Sequence, residues 1–156
     1  MTSIVGVTDT ASLIGFGRSV NGVPVVLGNI DLQGAPLTSL NFAFSMPRAG
    51  TITSLAGYFS NVVPLALVGT IATVHIQLYQ SAAPGPNNTL VPIPGAVVDL
   101  ILTNNVAGGD VFSGIVALAI PITVESRILL GVTVTSTGFV FAGTVTGYIS
   151  GGLAIV

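Results

Sequence analysis

The sequence predicts an all-β fold, and three observations carry that expectation. Apolar and polar residues alternate with a period of two in several segments. In residues 72–79, Ala72, Val74, Ile76 and Leu78 share one face while Thr73, His75, Gln77 and Tyr79 share the other. Turn signals built from Gly, Pro, Asn and Ser recur roughly every ten residues, and no segment carries a helical period. The composition also suits strands and tight turns, being rich in Thr, Val and Ile and holding 20 glycines. Roughly eight to ten short strands with this spacing point to a sandwich or jelly roll. At 156 residues the chain fits one domain with a substantial core.

Taken in order, residues 1–11 read as an extended arm ahead of a domain at residues 12–156. Residues 13–17 and 23–27 are short strands separated by the turn Ser19-Val20-Asn21-Gly22, where Asn-Gly is the turn signal. In residues 40–46, Leu40, Phe42, Phe44 and Met46 alternate with Asn41, Ala43 and Ser45. Pro47-Arg48-Ala49-Gly50 then forms a surface turn, with Gly50 free to take a positive φ, and residues 51–60 return antiparallel as the second arm of a hairpin.

Residues 62–68 form an apolar loop or short edge strand broken by Pro64, and residues 72–80 are the cleanest strand. Residues 81–89 (SAAPGPNNT) and 104–110 (NNVAGGD) are loops, and Pro92-Ile93-Pro94-Gly95 turns the chain into a strand at 97–102. Residues 111–120 and 125–135 are strands, and Ser136-Thr137-Gly138 is a turn. Residues 139–149 then return, and residues 153–156 close the fold after Gly151-Gly152.

The surface expected from this sequence is unusual. Hydrophobic residues make up 51% and charged residues 5%, against about a quarter charged in an ordinary soluble domain. A monomer could cover itself only with Ser, Thr, Asn, Gln and Gly, so extensive contact with further copies of the chain is expected. There is no lysine, and Arg18, Arg48 and Arg127 are scattered through a chain of net charge -2. Nucleic acid and acidic membrane surfaces are therefore excluded as partners. Residues 49–98 carry no formal charge, but their prolines and glycines break every run long enough for a membrane helix. Few aromatic residues and no Trp speak against the girdles of a membrane barrel. The N-terminus lacks both the basic and the continuous apolar regions of a signal peptide.

No constellation for chemistry emerges. The chain has no cysteine, hence no disulfide, thiolate or Cys-based zinc site. His75 is the only histidine, so no histidine cluster can hold a metal; it reads as a polar or interface side chain on a strand. Asp9, Asp31, Asp99, Asp110 and Glu125 are spread over the chain with no spacing that pairs two carboxylates. Gly15-Phe16-Gly17-Arg18-Ser19-Val20 begins like a dinucleotide loop but fails at Val20, and no helix follows. Glu125 and Arg127 would share a strand face as a solvated pair. Asn87-Asn88-Thr89 matches the glycosylation sequon in a surface loop. The expectation is a protein that is not an enzyme and holds no cofactor or metal.

The run from Asn41 to Arg48, NFAFSMPR, continuing Gly50-Thr51-Ile52-Thr53-Ser54 and Tyr58-Phe59-Ser60, closely resembles the C-terminal domain of BclB-type exosporium glycoproteins of spore-forming bacteria. Supporting matches follow in order: Leu13-Ile14-Gly15-Phe16-Gly17, Ile30-Asp31-Leu32, residues 72–79, residues 92–96, and Gly147-Tyr148. The resemblance covers residues 12–156. It implies a homotrimeric jelly roll of the tumour-necrosis-factor-like type, normally borne on a collagen-like stem at the spore surface. This chain holds no Gly-X-Y tract, so a short relative built differently is expected, in which Thr2, Ser3, Ile4, Val5 and Val7 of the arm link trimers into a fibre. His75, Tyr79 and Tyr148 are the candidates for the trimer axis. The expected function is a structural subunit of the exosporium or of a spore appendage, with further copies and other exosporium proteins as partners. The alternative is an adhesive module at the tip of a spore-surface filament, its loops 81–89 and 104–110 carrying recognition.

Overall fold

A computed structural model describes residues 2–4, 10–15, 18–32, 42–81, 88–138 and 144–156. These residues form eleven strands and no helix. A four-stranded sheet has the order β1 (Thr2–Ile4), β11 (Thr144–Ile155), β6 (Gly50–Asn61), β9 (Val111–Ile122). A seven-stranded sheet has the order β2 (Thr10–Gly15), β3 (Arg18–Val26), β4 (Asn29–Asp31), β8 (Thr89–Val106), β7 (Leu65–Ser81), β10 (Arg127–Gly138), β5 (Phe44–Ser45). From β5 onward the chain passes repeatedly between the sheets, and only β7 and β8 pair as sequence neighbours. The result is a jelly-roll-like β sandwich.

The main core fills the space between the sheets. Ile52, Leu55 and Phe59 of β6 meet Val74, Ile76 and Leu78 of β7, Leu100 and Leu102 of β8, and Val132 and Val134 of β10. On β7, β8 and β10 these are the positions the period of two assigns to one face, and on β6 the register shift between Ile52 and Ser54 brings Ile52 to the side of Leu55 and Phe59. A second core has no counterpart in the sequence reading. Strand β2 pairs with β10 as well as with β3, which closes β2, β3, β4, β8, β7 and β10 into a ring. Each strand of the ring supplies buried side chains to its interior: Leu13, Val23, Ile30, Leu90, Tyr79 and Leu129. Adjacent residues Leu78 and Tyr79 are therefore both buried, as are Ile128 and Leu129, because this end of the sheet is covered on both faces.

Several expected turns sit elsewhere, each for a local reason. Strands flanking residues 47–49 do not form a hairpin: β5 pairs with β10, whereas β6 pairs with β9 and β11. Met46 explains the break, since its N–H donates to Ser126 O (2.8 Å) and its carbonyl accepts from Glu125 N–H (2.8 Å). Gly50 does not take a positive φ; a Cβ there would lie 2.6 Å from Val156 O, so close approach of the C-terminus excludes a side chain. Leu40 and Asn41 lie outside the described residues. Asn21-Gly22 is not a hairpin turn but a bulge inside β3, where the register with β2 slips by one residue and Gly22 has φ 74°. Strands β2 and β3 pair antiparallel from Gly15 and Arg18 onward, and a separate two-residue turn, Leu27-Gly28, joins β3 to β4 with φ of 51° and 82°.

Longer strands account for the remaining differences. Strand β7 begins at Leu65 and absorbs residues 68–70 as a register break against β8. Residues 92–96 are a bulge within β8 rather than a turn before a new strand: Gln77 faces Val97, yet Tyr79 faces Pro92. The Gln77 side-chain amide holds that bulge, donating to Ile93 O (2.9 Å) and Ala96 O (3.1 Å). Strand β8 runs on to Val106, which shortens the expected loop 104–110. Ser136-Thr137-Gly138 remain in β10, paired with β7, and β11 is continuous through Gly151-Gly152. Glu125 lies in the turn before β10 with φ 65°, so it shares no strand face with Arg127.

Candidate functional site

The sandwich exposes two surfaces of different character. On the outer face of the seven-stranded sheet, Asp99, His75 and Thr133 lie abreast on β8, β7 and β10, with Thr135 one step along. His75 Nδ1 lies 2.7 Å from Asp99 Oδ1, and Nε2 lies 2.7 Å from Thr135 Oγ1. A carboxylate only accepts, so Nδ1–H donates to Asp99, and in the neutral ring Nε2 accepts from the Thr135 hydroxyl. This chain of bonds fastens three strands together. Among the described residues no three His, Cys, Asp or Glu side chains gather as metal ligands. Arg127 Nη1 donates to Asn88 Oδ1 at 2.6 Å.

The outer face of the four-stranded sheet is apolar. Strands β6, β9 and β11 contain no Asp, Glu, Lys, Arg or His in 36 residues, three strands of 12. Tyr148 and Ile115 are each 73% exposed there, with Tyr58 and Val111 beside them. Ala56, Ala117, Ala119, Gly152 and Ala154 complete the face with small side chains, which leaves its other half shallow. Both alternating sets of side chains on β9 are apolar or small, and the set facing the core is only half buried, because β9 is an edge strand among the described residues. A large uncharged patch of this kind marks a contact surface.

Beside this face the sandwich opens at β11. An apolar groove of about 360 Å³ lies between the sheets, lined by Ile14, Phe44, Ile128, Leu130, Leu153 and Ile155 among others. Phe44 is 39% exposed at its rim. On the edge of β11 away from β6, β1 pairs antiparallel over only three positions, Thr2 with Thr146, Ser3 with Val145 and Ile4 with Thr144. No other described strand joins that edge.

The expected site residues fall on separate surfaces. Thr2, Ser3 and Ile4 form β1; Val5 and Val7 lie outside the described residues. His75 is on the outer face of the seven-stranded sheet, Tyr79 is 5% exposed inside the ring of strands, and Tyr148 projects from the four-stranded sheet. Tyr79 is thus a core residue, and burial raises its phenol above the usual tyrosine pKa. Tyr58 and Ile115 join Tyr148 on the apolar face and were absent from the sequence expectation. Their signal was the lack of charge on both alternations of β6, β9 and β11. Of the expected recognition loops, residues 82–87 lie outside the described residues, and 107–110 is a tight turn in which Ala107 N–H donates to Asp110 Oδ2 (2.7 Å).

Fold and surface together define a jelly-roll-like sandwich with an uncharged, largely apolar outer face. Over 155 residues the chain is 36% identical to Collagen-like protein 1 of Acanthamoeba polyphaga mimivirus, a match that takes in 96% of this chain and 16% of that protein. The chain is therefore similar to one segment of a much longer collagen-like protein. No family model and no solved structure matches the chain.

Proposed function

We propose that the chain is a structural, self-assembling subunit of the bacterial spore surface, in the exosporium or in an appendage fibre. It forms a homotrimer of the tumour-necrosis-factor-like type, and its N-terminal arm links trimers. The observation that carries this reading is the uncharged outer face of β6, β9 and β11, where Tyr148 and Ile115 stand exposed in the single chain. Three copies around an axis would remove these side chains from water, and burial of apolar area is the main drive of such association. The likeness to a collagen-like protein supports a fibre-associated role, and the resemblance of residues 41–60 to BclB-type domains supports the spore surface. No cofactor, metal or catalytic group belongs to this reading, and its partners are further copies and other exosporium proteins.

Electron microscopy of the full-length chain tests it. The expected images are fibres of regular repeat, and deletion of residues 1–9, which spares β2, leaves discrete particles of about three times 15.6 kDa. Monomers in both preparations would refute the reading. An adhesive module on a filament is the second reading. It is favoured by the relative's length, since a domain that is 16% of a collagen-like protein is well suited to display. Saturable glycan binding by the trimers is its signature.

A further inference from the structure

We propose that the edge of β11 from Tyr148 to Ile155, with the groove beside it, is the acceptor for the N-terminal arm of a second copy. This deepens the linking role given to the arm and rests on it. The edge is already a strand acceptor: β1 pairs with its first three residues, antiparallel, and stops there. Beyond Gly147 no described strand continues the ladder, so the N–H and C=O groups that point away from β6 lack a strand partner among the described residues.

Proteins normally protect such an edge with a lysine, a proline or an inward charge. Residues 144–155 contain none of these. The groove adds the side-chain half of the site. A strand laid along β11 turns alternate side chains inward, and Leu153, Ile155, Ile128 and the rim of Phe44 present an apolar lining to receive them. The occupant matches in chemistry and length. Residues 2–7, Thr-Ser-Ile-Val-Gly-Val, are uncharged, four of the six are β-branched, and the first charge in the chain is Asp9. Six extended residues span about 20 Å, close to the length of residues 150–155 in a strand. A donor arm released from its own β11, where Thr2–Ile4 pair within one chain, and an acceptor edge on another copy form a heterologous contact, which propagates into a fibre when its rotation does not close a ring.

The absence of native cysteine makes disulfide trapping clean. Full-length chains carrying Ser3→Cys or Ile4→Cys are mixed with chains carrying Ser150→Cys, Gly152→Cys or Ala154→Cys, assembled and mildly oxidised. Within one chain Ser3 faces Val145, five residues from Ser150 and roughly 17 Å away, too far for a disulfide. A bond between arm and acceptor positions must therefore join two copies. Mass spectrometry is expected to find such bonds at several-fold the yield of a Thr103→Cys control on the opposite sheet. Assemblies that form with no excess over that control would overturn the acceptor site and leave the self-assembly reading standing. Chains that do not assemble at all would overturn both.

Discussion

At the scale of single residues, the environment of a side chain, not its type, decides what it does here. Three residues with polar ends stood out in the sequence, and each meets a different fate. His75 is spent on Asp99 and Thr135, both at 2.7 Å, and fastens β8, β7 and β10. Tyr148 is exposed on an apolar face. Tyr79 is inside the ring, its aromatic ring lying over Gly131, where an added Cβ would come within 2.7 Å of Tyr79 Cε2. Burial of the Tyr79 phenol has a measurable consequence. Desolvation disfavours the phenolate, so the folded pKa is above the unfolded value of 10.0. Below pH 10 both states keep the proton and the group adds no pH dependence. Above it the unfolded chain loses its proton first, so stability falls as pH rises toward the folded pKa. Denaturant midpoints measured from pH 9 upward are expected to decline for the native chain and to decline less for Tyr79→Phe; equal slopes would remove Tyr79 from the alkaline transition.

At the scale of elements, the turn between β3 and β4 departs from what its geometry asks for. A two-residue hairpin loop with φ of 51° and 82° is of the primed type, which favours Asn-Gly. The chain has Leu27-Gly28 there, with Leu27 97% exposed. A leucine in the left-handed region costs about 1–2 kcal/mol and here gains no burial in return. Leu27→Asn is therefore expected to stabilise the fold by about 0.5–1 kcal/mol, raising Tm by about 1–4 °C; an unchanged or lower Tm in thermal unfolding would contradict the turn geometry. The same turn marks the limit of what the sequence disclosed. The Asn-Gly pair of the chain, Asn21-Gly22, advertised a hairpin turn inside what is the continuous strand β3, and proved to be a bulge. Local signals identified the extended segments 72–80 and 111–120 and, from Arg127 onward, 125–135, because alternation is written in the strand itself. They could not say which strands pair, since β5 and β6 adjoin in sequence but belong to different sheets. The ring of β2, β3, β4, β8, β7 and β10 was likewise unreadable, because its closure depends on three residues, Leu130 to Val132, meeting Ile14 to Ser12 across more than a hundred positions. For the uncharged face, composition announced a shortage of charge, and only the placing of β6, β9 and β11 side by side located it.

For the whole molecule, the distribution of its few charges separates the two outer faces, and in the proposed trimer it selects the face that associates. Asp99 and His75 sit on the seven-stranded sheet, and the four-stranded sheet has no counterpart to them on β6, β9 or β11. Ordinary domains stay monomeric by mixing charge over the whole surface, and this one leaves a face without any. Placing a carboxylate on that face is a direct test. Ile115 is 73% exposed in the single chain, so Ile115→Glu leaves the isolated fold intact, and circular dichroism and Tm are expected to match the native chain. In an assembly the same side chain would be buried unpaired, and a lone charge removed from water costs several kcal/mol. Each copy brings one such charge to the contact. Light scattering is therefore expected to fall from about three chain masses to the 15.6 kDa of one chain at micromolar concentration. Thr103→Glu, an equal charge on the exposed face of the seven-stranded sheet, is expected to leave the mass unchanged. Because the proposed contact would bring no ion pair together on this face, raising salt from 50 mM to 1 M should not dissociate it, screening having nothing to act upon. Dissociation of the native chain by salt, or of the Thr103→Glu variant alone, would assign association to the charged face instead.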